Sequence, residues 1–252
     1  IMVAKTFDAN VEFDLSEKFE GLVNNLRLVG YDTISDATVL QTIALVIGKE
    51  CKRQNILRIE KHQFIKEWPK VESAIEAAVD YFRDFYRIPV SKLLPYNSLL
   101  APFAYFFYHH KDKPLEQKQI LLGDFLWRVS LSGRYSSSVE SKLAQDVKRI
   151  DRILQNETPA YDWSIDTSAQ FIRENGWFNA GRSYIKALLC IMAYQEPKSF
   201  IDGSIVRISN DWLKQANSRN YHHYFPKAFL KKQGLGDEYS NHIANITIVD
   251  DF

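Results

Sequence analysis

Apolar residues recur at helical spacing along this chain from Phe19 to Leu154, and a stripe of that kind can be buried only as a helix packed on its neighbours. Phe19, Leu22, Val23 and Leu26 fall at i, i+3, i+4 and i+7, which predicts a helix over residues 16–28 with Ser16 as its N-cap and Gly30 as its stop. Ser35 to Thr38 opens a second helix through Val39, Ile43, Val46 and Ile47, ending near Gly48. A third begins near Glu60, and Trp68-Pro69 predicts its interruption. Proline suits a first helical turn and disfavours helix in the residue before it, so a new helix is expected over 70–86. Asn97, after Leu94-Pro95-Tyr96, is expected to cap a helix from Ser98 to about His110, and Pro114 to start another through Ile120, Leu121, Phe125 and Leu126. Ser137 with Glu140 has the spacing of a capping box, followed by the stripe Val139, Leu143, Val147, Ile150 and Leu154. Each stripe must be buried against another, so the expected architecture is a multi-helix bundle.

The pattern changes towards the C-terminus. Thr158 and Pro159 mark a boundary, followed by shorter helices expected near 167–174 and 180–194. From Gly203 onward Ser204 to Ile208 alternates like a short strand, Tyr221 to Phe225 reads as extended, and Ile246 to Val249 is β-branched. The fold class is therefore mainly α, with a helical domain over 1–158 and a small mixed α/β region within 159–252. No internal repeat supports a solenoid. The longest apolar run, Leu99 to Tyr108, is too short to span a bilayer, so no membrane partner is expected. Cys51 and Cys190 lack the spacing of a disulfide framework or a cysteine zinc site, which favours a reducing cytoplasmic setting.

Six histidines offer imidazoles for chemistry. His109-His110 closes an apolar helix, where a cationic ring suits the negative end of the dipole, and His62 sits among charged neighbours as a surface residue. His222-His223 differs. Successive strand residues face opposite sides, yet at a strand end both rings can reach one cleft. Between Leu213 and Gln233 lie Lys214, Arg219, Lys227, Lys231 and Lys232 without one Asp or Glu, although the formal net charge of the whole chain is only +1. Phosphate is the natural partner of such a segment. Asn241 and His242 are read as shaping the approach to Asn245 rather than as ligands.

The order His222-His223-Tyr224-Phe225-Pro226, a short helix over 227–233, then Asn245 and Ile246 to Val249 resembles the core of HNH nucleases. That family's ββα-metal fold begins with Asp, Glu or His before His-x-x-Pro and places an Asn in the second strand region. Leu94-Pro95-Tyr96, Ser132 to Ser136 and Glu140 to Asp146 are similar to the helical middle of GmrSD-type restriction and anti-phage proteins. The resemblance implies a DNA endonuclease with His223 as the general base, Asn245 as the catalytic-loop brace that orients it, and His222 as ligand of a divalent ion, Mg²⁺ or Mn²⁺. It also implies an N-terminal nucleotide-hydrolysing partner domain and a third HNH element just past Phe252. Asp250 or Asp251 can substitute there as an oxygen ligand, although acidic residues after a strand are more often solvated turn residues. Lys227, Lys231 and Lys232 are added from charge pattern as DNA-backbone contacts. Arg134, Tyr135 and Asp146 are read as a brace between a loop and a helix. The competing expectation is a non-catalytic helical interaction module with an HNH-like tail.

Overall fold

The computed structural model describes residues 1–10, 12–209 and 221–250. Lys214, Arg219 and Asp251, singled out above, lie outside them. The protein is mainly helical with a small two-stranded antiparallel sheet near the C-terminus. In chain order the helices are α1 (Met2–Thr6), α2 (Leu15–Leu28), α3 (Asp36–Gly48), α4 (Arg53–Arg58), α5 (Lys61–Asp84), α6 (Leu100–His109), α7 (Glu116–Ser132), α8 (Val139–Leu154), α9 (Ala169–Asn175) and α10 (Ser183–Tyr194). Then come β1 (Tyr221–His223), α11 (Lys227–Lys232), α12 (Asp237–Ser240) and β2 (Ile246–Ile248). Among the described residues no helix is long and apolar enough to cross a membrane.

The centre of the bundle is α6, in which every residue from Leu100 to Phe107 is buried. A helix that is apolar on all sides must be surrounded, and α5, α3 and α8 pack around it. Rings from three helices meet at Phe103, 4.6 Å from Phe82 and 6.2 Å from Phe125 between centroids. α10 packs on α7, and its Ile185, Leu189 and Cys190 join the same core. The segment beyond residue 158 thus returns to the helical body before reaching the sheet.

Several local expectations are corrected by the structure. Asp14, not Ser16, caps α2, accepting the Ser16 N–H, so the helix starts one residue earlier than expected. Pro69 does not divide a helix pair: α5 runs continuously from Lys61 to Asp84 with Pro69 inside it on its exposed side. A proline inside a helix costs about 3 kcal/mol. Phe64, Trp68, Val71, Ile75, Val79 and Phe82 all bury on one face of α5, at roughly 1.5–3 kcal/mol each, so burial outweighs the break. Asn97 does not cap α6. Its side-chain amide donates to the Thr33 carbonyl at 2.8 Å, and a 3-10 turn over Asn97–Leu99 leads into the helix. The Ser137–Glu140 capping box does not form, because Ser138 enters α8 in a left-handed conformation without a side-chain cap. The strand expected over 204–208 reduces to one bridge between Lys198 and Ile205.

Candidate functional site

β1 and β2 pair antiparallel, with Tyr221 opposite Ile248, His222 opposite Thr247 and His223 opposite Ile246. Alternation in a ladder gives the two histidines opposite sides of the ribbon. His223 shares the side of Tyr221, Ile246 and Ile248, all three buried, while His222 lies beside half-buried Thr247. Burial raises the Tyr221 phenol above its ordinary pKa. The ladder ends at His223, and the Tyr224 N–H, donating to the Asn245 carbonyl at 2.8 Å, carries the chain past the end of β2.

Asn245 closes the turn that follows. Its Oδ1 accepts the Phe225 N–H at 2.8 Å, and its Nδ2 donates to the carbonyls of Phe225 at 3.1 Å and Ser240 at 3.0 Å. The side chain is buried, and with three bonds it uses nearly all its donor and acceptor capacity inside the protein. One amide therefore ties three segments: the turn after the histidines, the end of α12 and the start of β2. Asn245 thus clamps the backbone of the turn and makes no hydrogen bond to His223 among the described residues.

His223 Nε2 lies 3.2 Å from Asn241 Oδ1. An amide oxygen only accepts, so this bond places the ring proton on Nε2 and leaves the Nδ1 lone pair as the basic site. Nothing in the sequence marked Asn241 as the partner of His223, since the two are brought together across 18 positions by the turn between α12 and β2.

His242 is committed to structure. Its Nδ1 accepts the Ala244 N–H at 3.1 Å and its Nε2 lies 3.0 Å from the Ile172 carbonyl. With Nδ1 accepting, Nε2 carries the proton and donates, so both nitrogens are engaged. The ring packs so tightly on Gly176 that a Cβ there would collide with it and sit 2.6 Å from the Ile172 carbonyl. Around this contact the Phe178 N–H donates to the Asn241 carbonyl at 2.8 Å and the Ile243 N–H to the Gly176 carbonyl at 2.7 Å. Those bonds fix the ribbon to the chain between α9 and α10. Gly176 was missed in the sequence because a glycine needed for close approach looks like any loop glycine.

Lys227, Lys231 and Lys232 are all exposed on α11, one turn beyond the Asn245 clamp, and Asp237 and Glu238 follow on α12. Among the described residues no group of three His, Cys, Asp or Glu side chains is arranged to hold a metal ion. Oδ1 of Asp250, just beyond β2, is buried and has no hydrogen-bond partner among the described residues.

Away from this region, Arg134, Tyr135 and Asp146 form the brace that was expected. Asp146, fully buried, accepts Arg134 Nε on both oxygens at 3.1 and 2.8 Å, the Tyr135 hydroxyl at 2.8 Å and Arg149 at 2.9 Å. Burial, and then the Asp146 charge, push the Tyr135 phenol well above its ordinary pKa. The Arg134 guanidinium stacks 3.8 Å over Trp163, and Arg149 also reaches Asp162 at 2.6 Å. The cluster therefore locks the stretch from Tyr161 to Trp163 onto the middle of α8. The other histidines called surface or structural fit those descriptions: His62 is exposed, and His109 closes α6 with its ring 4.6 Å from Tyr105.

No protein-family profile matches the chain. It is similar to an uncharacterized protein of Methanocaldococcus jannaschii, 24% identical over 262 aligned positions covering 94% of this chain and 41% of that protein. The chain spans about two-fifths of the length of the curated relative it matches.

Proposed function

We propose that this chain carries the HNH-type part of a metal-dependent DNA endonuclease of a restriction or anti-phage system, acting in a reducing cytoplasm with a nucleotide-hydrolysing partner domain. The single observation that carries the reading is the Asn245 clamp. It holds the turn following a histidine pair through both polar groups of Phe225, which makes sense of an Asn placed after His-His-x-x-Pro. In this reading His223 is the general base. Its Nε2–H rests on Asn241 Oδ1, so Nδ1 can take the proton of a water attacking phosphorus. Asn245 and Asn241 are positioning residues. Lys227, Lys231 and Lys232 lie along the strand's phosphates and draw it to the histidines electrostatically.

A Mg²⁺-type ion keeps several waters and takes further oxygens from the substrate phosphate. In this reading His222 is a protein donor to the ion, and because imidazole is softer than the oxygens Mg²⁺ prefers, waters and phosphate oxygens supply most of the coordination. When bound, the ion would polarise the scissile phosphate and stabilise the leaving 3′-oxygen.

The test is cleavage of DNA by the purified protein with Mg²⁺ or Mn²⁺. The His223→Ala variant is expected to lose about 10²- to 10⁴-fold in rate, the usual contribution of a general base. Equal cutting by the variant removes His223 from the chemistry. No cutting by the wild-type chain with either ion, alone or joined to the rest of its protein, leaves the helical interaction module as the better description.

A further inference from the structure

The turn that Asn245 clamps also displays aromatic rings that pack on one another yet stay largely exposed. Tyr224 is 69% exposed, Phe225 48%, Phe229 47% and Tyr239 51%. On α11, Leu230 is buried while Phe229 faces outward, so the helix spends its inward position on the smaller residue. Phe225 and Phe229 lie nearly parallel, 20° apart with centroids at 5.9 Å, and Tyr224 stands edge-on to Phe225 at 5.0 Å. Lys227, Lys231 and Lys232 alternate with these rings along the chain, and no acidic residue occurs from Tyr221 to Gly236. Phe225, Leu230, Leu235 and Tyr239 wall a cleft of about 720 Å³ towards α9, with Arg173 and Glu238 supplying its charged groups and Asn245 also lining it.

We propose that this surface is a stacking platform for unpaired bases, and that the nucleic acid engaged beside the histidine pair is a single-stranded or locally opened DNA strand. The inference takes over from the nuclease reading that the ligand is nucleic acid. Lysines alone would serve a duplex, whose phosphates are exposed and whose base faces are already covered by their neighbours. On a nucleic acid, exposed rings find stacking partners where base faces are free, and rings interleaved with cations are the arrangement that binds single strands without sequence preference. The cleft adds a concave site, apolar on its walls and charged at Arg173 and Glu238, into which one unstacked base can turn. Asn245 links the two functions, because the residue it clamps on both backbone groups, Phe225, is also a wall of the cleft.

The test is binding without cleavage: fluorescence anisotropy in EDTA with a labelled single-stranded DNA of about 20 nucleotides, long enough for one platform, with its duplex, and with anionic vesicles. The single strand should bind more tightly than the duplex. Phe229→Ala should weaken the single strand by about 5- to 150-fold, the range for losing one base–aromatic stack, and leave duplex binding unchanged. Phe229→Tyr, which keeps the ring, should retain affinity. Equal affinity for both DNA forms, an unaffected Phe229→Ala variant, or binding to vesicles alone each overturns the proposal. Single-strand binding with this ring dependence but no cutting in Mg²⁺ or Mn²⁺ keeps the platform and removes the nuclease. Cutting without strand preference removes the platform only.

Discussion

Replacing Asn245 by Ala should loosen the candidate site through three specific losses. Two are the bonds to the Phe225 N–H and carbonyl, at 2.8 and 3.1 Å. Phe225 is exposed, so water can partly replace them, and each is worth about 1 kcal/mol. The third is the bond to the carbonyl of Ser240, a residue 2% exposed, at 3.0 Å. A buried carbonyl left without a donor costs about 1–3 kcal/mol. The sum is about 3–5 kcal/mol, which for a chain of this length is a fall of roughly 6–20 °C in Tm. Asn245→Asp sharpens the test. Its first oxygen keeps the Phe225 N–H, but the second faces two carbonyls, so the ionised variant should be no more stable than the alanine one. Burial and those carbonyls raise the folded-state pKa of the new carboxyl above its unfolded value. Its protonated form then donates as the amide did, so the deficit should shrink at acid pH and grow as pH rises through the folded pKa. Urea denaturation at several pH values, with amide exchange at β1 and β2, measures both effects. If Asn245→Asp matches the wild type at neutral pH, or Asn245→Ala costs under about 1 kcal/mol, the clamp is not what holds the turn.

Asp146→Ala should cost about 3–5 kcal/mol in denaturant unfolding, because it removes the carboxylate paired with buried Arg134 and the acceptor of the Tyr135 hydroxyl, while Arg149 keeps Asp162; a loss near zero would mean water repairs the cluster. Gly176→Ala should release the His242 ring from the Ile172 carbonyl and raise amide exchange at Ile243 and Phe178, whereas unchanged exchange would show that the collision is relieved without moving the ribbon. In the proposed nuclease, Asn241→Asp should displace the acidic limb of the cleavage rate–pH profile to higher pH, since a carboxylate beside His223 favours the protonated ring that cannot act as a base. An unshifted profile would separate Asn241 from the base.

Legibility in the sequence followed the physical range of each signal. Stripes such as Val139 to Leu154 and Phe19 to Leu26 emerged as helices because periodicity is local and strong. Caps and breaks fared worse. Ser16, Asn97 and the Ser137–Glu140 pair all have capping chemistry, yet Asp14 was better placed in the first case, Thr33 claimed the amide in the second, and a left-handed Ser138 intervened in the third. Each is a competition for a cap worth about 1 kcal/mol, which a better-placed partner, near or far in the chain, easily decides. Pro69 is the same lesson at larger scale, its local break overridden by the buried face of α5.

At the candidate site the inventory is legible in residue order: a histidine pair at the end of a strand, a short lysine-rich helix, and an asparagine before a β-branched strand. What those groups do to one another depends on the fold. It joined Asn245 to Phe225 and Ser240, gave His223 its partner in Asn241, engaged both nitrogens of His242, and left the rings of Phe225 and Phe229 facing out. The reason is the geometry of hydrogen bonding. Residue type fixes which atoms can donate or accept, but a bond needs its partners within about 3 Å and aligned, and for groups far apart in the chain only the folded backbone brings them there.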